Sequence, residues 1–217
     1  MNGQAAAPPP SPGPAPVVVT VIGPESTGKT TLARLLAADF RTAWSPEFAR
    51  TYAERRLASD ATPLPLGATD VEPIARGQIA AEDAAAARAH AAGRALVIRD
   101  TDLASTVVYA RHYYGACPSW IVDTARARRA ALYLLCDVDV PWVGDPARDR
   151  PFGRAAMHAE FRAVLEELGA RTAAVRGGWE ARHETAREAV AALLAHAPHA
   201  AVAPLPPAAQ VRTRDGA

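Results

Sequence analysis

The sequence predicts an α/β fold in which a parallel β-sheet is covered by helices on both faces. Three observations point there. Residues 17–31 read VVVTVIGPESTGKTT, a β-branched run that closes on a glycine-bounded loop and opens into a helical pattern at Leu32, Leu35 and Leu36. Residues 131–136, ALYLLC, form a continuous apolar run of the kind found in strands buried on both faces. Short apolar runs and helical stretches alternate along the rest of the chain, and such alternation builds a parallel sheet.

Taken in order, Val17 to Ile22 is the first strand. Thr42-Ala43-Trp44 is a short second strand stopped by Pro46, and Glu47-Phe48-Ala49-Arg50 opens the next helix. Pro63 and Pro65 break the chain, so Thr62–Asp70 is expected to be a mobile loop. Helical composition returns over Glu72–Ala92, with Gly93 as its C-terminal cap. Ala95-Leu96-Val97-Ile98 is a strand running into Asp100 and Asp102; Leu103–Tyr114 and Trp120–Arg129 follow as helices. After the strand at 131–136 comes a polar, arginine-dense loop over Asp145–Arg154. A helix over Met157–Leu168, a strand over Thr172–Val175 and a closing helix over Glu180–Leu194 complete the count of five strands.

Composition narrows the function. The chain has 217 residues and a net charge of +1, which implies neither a nucleic-acid partner nor an anionic membrane. Residues 1–16 and 197–217 are rich in proline and alanine and lack apolar periodicity, so both are expected to be disordered tails around a folded domain at 17–196. No apolar run reaches membrane-spanning length, and no basic region precedes an apolar core at the N-terminus. Cytoplasmic residence is the expectation. Cys117 and Cys136 lack metal or redox spacing and read as small buried thiols. The six histidines have no metal-ligand spacing either.

Gly23-Pro24-Glu25-Ser26-Thr27-Gly28-Lys29-Thr30 fits the G-x-x-x-x-G-K-[ST] phosphate-binding loop, and it lies between a strand and a helix as that motif requires. Glycines let backbone N–H groups approach phosphate oxygens, and the helix start adds its own unsatisfied donors. The candidate nucleotide-binding residues are therefore Gly23, Glu25, Ser26, Thr27, Gly28, Lys29, Thr30 and Thr31. Of 24 basic residues Lys29 alone is a lysine, a compact cation kept where the loop needs one. A single lysine also excludes the guanine-reading N-K-x-D motif. Thr30 and Asp100, the latter at a strand end, are the candidate Mg²⁺ ligands for bound ATP.

Other groups fall where the ends of parallel strands make a ligand crevice. Glu47 suits a group that accepts a proton from, or orients, an acceptor hydroxyl, and it equally suits a helix start. Arg50 lies one turn on. Asp102 either caps the next helix or faces the acceptor. Arg148, Arg150 and Arg154 lie in a loop placed like a closing lid, where cations stabilise charge on a transferred phosphoryl group. Tyr113, Tyr114 and Trp44 could sandwich a planar base or simply pack. Arg126, Arg128 and Arg129 read as a solvated helix end.

These pieces together resemble the P-loop kinase domain of NadR-like proteins, the ribosylnicotinamide kinase or AAA-domain group. The matching stretches are GPESTGKTTLARLLA, PEFAR, IARGQ at 74–78, VIRDTDLASTVVYARHYYG at 97–115 and WVGDPARDRPFGR at 142–154. The resemblance spans about residues 17–195. It implies a P-loop NTPase three-layer αβα sandwich, with strand order 2-3-1-4-5 by analogy with other small P-loop kinases. It also implies transfer of phosphoryl from ATP to the ribose 5′-hydroxyl of nicotinamide riboside, a step of NAD salvage. Carried over by position, Lys29, Thr30 and Asp100 would serve ATP and Mg²⁺. Glu47, Arg50, Asp102 and Tyr113 would lie by a nucleoside-like acceptor, and Arg148 in the lid. The family pattern has a tryptophan immediately before the glutamate; here that position is Pro46, and Trp44 comes two residues earlier. Two alternatives stay open: a kinase of another nucleoside, and a regulatory P-loop ATPase without a small-molecule acceptor.

Overall fold

The structure, a computed structural model, describes residues 15–59, 66–141 and 153–196. Its centre is β1 (Val17–Ile22), all but the first residue buried. β1 pairs in parallel with β3 (Leu96–Asp100) on one side and β4 (Leu132–Cys136) on the other. Edge strands β2 (Ala43–Ser45) and β5 (Thr172–Val175) pair with β3 and β4, giving the expected five-stranded parallel order 2-3-1-4-5.

The pleat sends alternate residues of β1 to opposite layers. Val18 and Ile22 join the core under α3 (Val71–Ala91), α4 (Leu103–Tyr114), α5 (Ser119–Ala127) and α6 (Arg154–Glu167). Val19 and Val21 join the core under α1 (Lys29–Asp39) and α7 (Trp179–His196). Each fully buried aliphatic side chain contributes roughly 1.5–3 kcal/mol, so the two clusters hold the sheet from both faces. α2 (Phe48–Ser59) lies against α3. No described helix is long and apolar enough to cross a membrane.

Three local expectations are corrected. β2 begins one residue later than its composition suggested. Thr42 is spent on neighbours, its N–H donating to Ala37 O at 2.9 Å and its hydroxyl to Leu96 O, whereas Ser45 pairs with Arg99. The end of the Thr62–Asp70 stretch is anchored, not loose. Ala68–Asp70 is a 3₁₀ turn, and the buried Asp70 carboxylate accepts from Gly67 N at 2.8 Å, Tyr52 Oη at 2.9 Å and Arg56 Nη1 at 2.7 Å. Residues 60–65 lie outside the described residues, as do most of both expected tails. Finally, Arg128 is not part of a solvated helix end: it is 3 % exposed and pairs with Asp83 Oδ1 at 2.5 Å.

Candidate phosphate and acceptor site

The loop between β1 and α1 carries Ser26 at φ 53° and Gly28 at φ 79°, the left-handed backbone from which anion-cradling loops are built. A side chain at Gly28 is barred twice, by the left-handed backbone and because a Cβ there would lie 2.3 Å from the Trp179 ring. Lys29 begins α1 and is 5 % exposed; its Nζ donates to Pro24 O at 2.7 Å, which also accepts the Thr27 hydroxyl at 2.8 Å. The lone lysine is thus held inside the loop it was expected to serve. Glu25 and Ser26 are half-buried and Thr31 is exposed.

Arg182 was not singled out in the sequence. It is 2 % exposed and braces the loop from behind, donating to Thr27 O at 3.2 Å, Asp137 O at 3.0 Å and Gly177 O at 2.8 Å while pairing with Asp139. Its one clue in the sequence is an arginine on the core face of an otherwise alternating helix.

Asp100 ends β3 beside Val21 of β1, and the Thr30 hydroxyl donates to its Oδ2 at 2.6 Å. Two hard oxygen ligands side by side at a phosphate loop fit Mg²⁺. Thr30 and Asp100 would hold the ion, which when bound neutralises charge on the β- and γ-phosphates.

The next residue, Thr101, stands at φ 64° and donates its N–H to Val21 O at 2.9 Å. Asp102 then turns away from the phosphate loop. It is 4 % exposed, caps α4 by accepting from Ala104 N at 2.9 Å, and accepts from the Thr20 hydroxyl at 3.2 Å and from Tyr133. The helix cap, one of its two open readings, is present in the structure. Asp102 belongs to a buried polar cluster between the sheet and α3. There Glu82 lies 3.2 Å from Arg99 Nη1 and 3.5 Å from Arg128 Nη2. Burial pushes the Glu82 carboxyl up to about 7 and raises that of Asp102 as well, against the pull of the arginines.

Glu47 is 8 % exposed and sits two residues beyond Ser45, whose partner in the register is Arg99; the loop after β2 therefore runs beside the β3–α4 turn. Arg50 is exposed on the first turn of α2. Tyr113 is half-buried against the α4 core, stacked on Tyr109 with ring centroids 6.1 Å apart. Tyr114 Oη donates to Leu66 O at 2.8 Å, tying the end of α4 to the segment just before the 3₁₀ turn at Ala68–Asp70. Trp44 packs against the α1 layer, with Arg34 Cζ 5.1 Å from its ring centroid, which accounts for the ring as packing. Arg154 donates to Val140 O at 3.1 Å and Ser26 O at 3.4 Å, bringing the start of α6 to the phosphate loop. Arg148 and Arg150 lie outside the described residues. Among the described residues no group of three or more His, Cys, Asp or Glu is placed to hold a metal by itself.

Residues 18–182 match the family described as an AAA domain. The trifunctional NAD biosynthesis/regulator protein NadR of Escherichia coli is 29% identical over 150 residues, which is 69% of this chain and 35% of that protein; its Salmonella typhimurium counterpart aligns equally. The chain thus spans about a third of the length of these curated relatives. A crystal structure of NadR protein in complex with NR superposes with TM-score 0.62 at 27% identity, covering 82% of this chain and 49% of the other. A NadR complex with NAD and AMP-PNP gives the same TM-score. A thymidylate kinase from Ehrlichia chaffeensis, 15% identical with TM-score 0.58 and coverage of 83% and 100%, shares the fold.

Proposed function

Because the chain belongs to the AAA domain family, with NadR among its relatives, we propose that it is a Mg·ATP-dependent nucleoside kinase whose acceptor is nicotinamide riboside. The product would be nicotinamide mononucleotide, placing the chain in NAD salvage. The observation that carries the reading is the 2.6 Å contact between Thr30 and Asp100, which joins the phosphate loop to the strand-end carboxylate beside the Glu47 loop. In the reaction the ribose 5′-oxygen forms a bond to the γ-phosphorus while the bond to the β,γ-bridging oxygen breaks and ADP leaves. The hydroxyl proton passes to a carboxylate, a role assigned to Glu47. Lys29 and Arg154 supply positive charge to the phosphoryl oxygens, in a reaction that needs mainly positioning and electrostatic stabilisation. Arg50 and Tyr113 are assigned to the acceptor, and Arg148 and Arg150 to a closing lid.

The test is ADP release from Mg·ATP with and without nicotinamide riboside, beside a panel of other nucleosides. Strong stimulation by nicotinamide riboside alone supports the reading. No stimulation by any nucleoside, with slow basal hydrolysis intact, favours the regulatory ATPase. One observation favours a second reading, a kinase of a different nucleoside. Pro46 occupies the position before Glu47, and Trp44 is packed against α1, so the base would meet a different wall. Stimulation by another nucleoside would move the substrate and keep the mechanism.

A further inference from the structure

The stretch Arg76-Gly77-Gln78 lies in the middle of α3, far in sequence from every residue assigned above, and two of its members have environments that a mid-helix surface position does not require. Gly77 has no room for a side chain: a Cβ there would lie 1.9 Å from Phe48 Cε1 and 2.2 Å from its Cζ. A glycine inside a helix is disfavoured by about 1 kcal/mol relative to alanine, and here its bareness lets the Phe48 ring lie directly on α3. Gln78 is 3 % exposed and its amide is shared among three elements. Oε1 accepts the Phe48 N–H at 2.9 Å; Nε2 donates to Thr101 O at 3.4 Å and to Glu82 Oε1 at 3.3 Å.

The partners give the arrangement its meaning. Phe48 is the first residue of α2, and its N–H is one of the donors a helix start leaves unsatisfied. It is satisfied by a side chain thirty residues away instead of by a local cap. Phe48 directly follows Glu47. Thr101 directly follows Asp100 and holds the left-handed conformation that turns the chain out of β3. A primary amide offers an acceptor and two donors in one plane, so Gln78 can accept from one backbone and donate to the other at once, where an ionised carboxylate, which only accepts, could not.

We propose that Gly77 and Gln78 form the seat that fixes the Glu47 loop relative to the Asp100 turn, and that Gln78 is a positioning residue for the acceptor side of the site. The role assigned here to Glu47 rests on the kinase reading above; the seat itself does not. Gly77 sets how closely α2 approaches α3, and Gln78 sets the spacing between the carboxylate that meets the acceptor and the one beside the phosphate loop. The phosphate loop itself is held by Thr27, Lys29 and Arg182 and not by Gln78, so disturbing the seat should act mainly on the acceptor.

The test uses Gln78→Met, which keeps the length and loses every polar contact, and Gln78→Glu, which keeps the acceptor for Phe48 N–H and loses the donors. Amide hydrogen exchange is read first, without any substrate. In Gln78→Met the amide of Phe48 should exchange at least tenfold faster while β1 amides stay protected. In Gln78→Glu Phe48 should remain protected while residues 101–104 loosen. Transfer from Mg·ATP to nicotinamide riboside is read second. The acceptor KM should rise and kcat fall, each about tenfold, in Gln78→Met, with the KM for ATP within twofold of wild type. Unchanged exchange at Phe48 in Gln78→Met overturns the seat, whatever the substrate proves to be. Faster exchange with acceptor kinetics unchanged, or with both KM values moving together, overturns the positioning role. A wild-type chain that phosphorylates no nucleoside refutes the kinase reading, and the exchange result then still decides the seat.

Discussion

Glu82→Gln should remove a pH dependence from the stability of this protein. Glu82 is wholly buried, and three carboxyls (Glu82, Asp83 and Asp102) face two guanidiniums, Arg99 and Arg128. One negative charge is in excess, and only Asp83 has substantial access to water. Burial therefore wins over the arginines and pushes the Glu82 carboxyl from its ordinary 4.5 up to about 7. The folded chain then keeps a proton that the unfolded chain has released, so the stability that this one carboxyl contributes is fully present below about pH 4.5 and is lost as pH rises through 7. At 1.36 kcal/mol for each pH unit between the two values, the loss is about 3 kcal/mol. Urea unfolding followed by tryptophan fluorescence, run from pH 4.5 to 8.5 on both proteins, measures it. Glutamine has no proton to lose, so the wild-type curve should fall relative to that of Glu82→Gln by about 3 kcal/mol, mostly between pH 5 and 7.5. Parallel curves would show that the two arginines keep Glu82 ionised, and the charge argument would be refuted.

The remaining predictions concern the site and its supports. Lys29→Ala should lower turnover on the order of 10²–10³-fold, as removal of one preorganised charge-stabilising donor does; wild-type ADP release would sink its assignment. Glu47→Gln should cut transfer to the acceptor by about 10²–10⁴-fold with the urea midpoint nearly unchanged. Asp102→Asn should do the reverse, lowering the unfolding free energy by about 1–3 kcal/mol through a weakened cap and cluster while leaving most of the turnover; exchanged phenotypes would reverse the two roles. Arg128→Met should destabilise by about 3–5 kcal/mol, because it leaves buried carboxyls with one partner fewer, and an unaltered unfolding curve would return Arg128 to the solvated surface.

What the sequence made legible was local. A strand, a glycine loop and a helix in succession identify the phosphate site because the motif, its backbone geometry and its context occupy fifteen consecutive residues. The strand order followed from alternation and analogy. Asp100 was legible because an apolar run ended on it, and Thr30 because the motif names it. Trp44, left open between a base and packing, and Arg128, read as solvated, share one feature: neither reveals its partner in the sequence. Arg34 and the α1 layer cover Trp44, and Asp83 and Glu82 neutralise Arg128 from a helix forty-five residues earlier. Arg99 did carry a signal, a charge in a strand otherwise apolar and central, which implies a buried counter-charge without saying where. Gln78 belongs to the IARGQ stretch that the family resemblance picks out, but its role was not legible there, since a glutamine in an alanine-rich helix shows its partners only once α2 is laid against it.

The D-T-D spelling shows how far a residue pattern can differ from the geometry it makes. In a regular strand residues two apart share a face, so Asp100 and Asp102 would both point toward α1 and the phosphate loop. Two carboxylates there would compete for one cation and raise one another's proton affinity. Thr101 prevents this. A β-branched residue at φ 64° is a strained conformation, held at an expense of roughly 1–3 kcal/mol. It is retained by two backbone contacts, its N–H to Val21 O and its C=O from Gln78. The turn it makes sends Asp102 to the opposite face of the sheet, onto Thr20 and Tyr133, while Asp100 stays on Thr30. The strain thus separates the carboxylate beside the phosphate loop from the one in the buried cluster. Under the proposed reaction the acceptor's proton then falls to Glu47, whose loop is held by the same glutamine that holds Thr101.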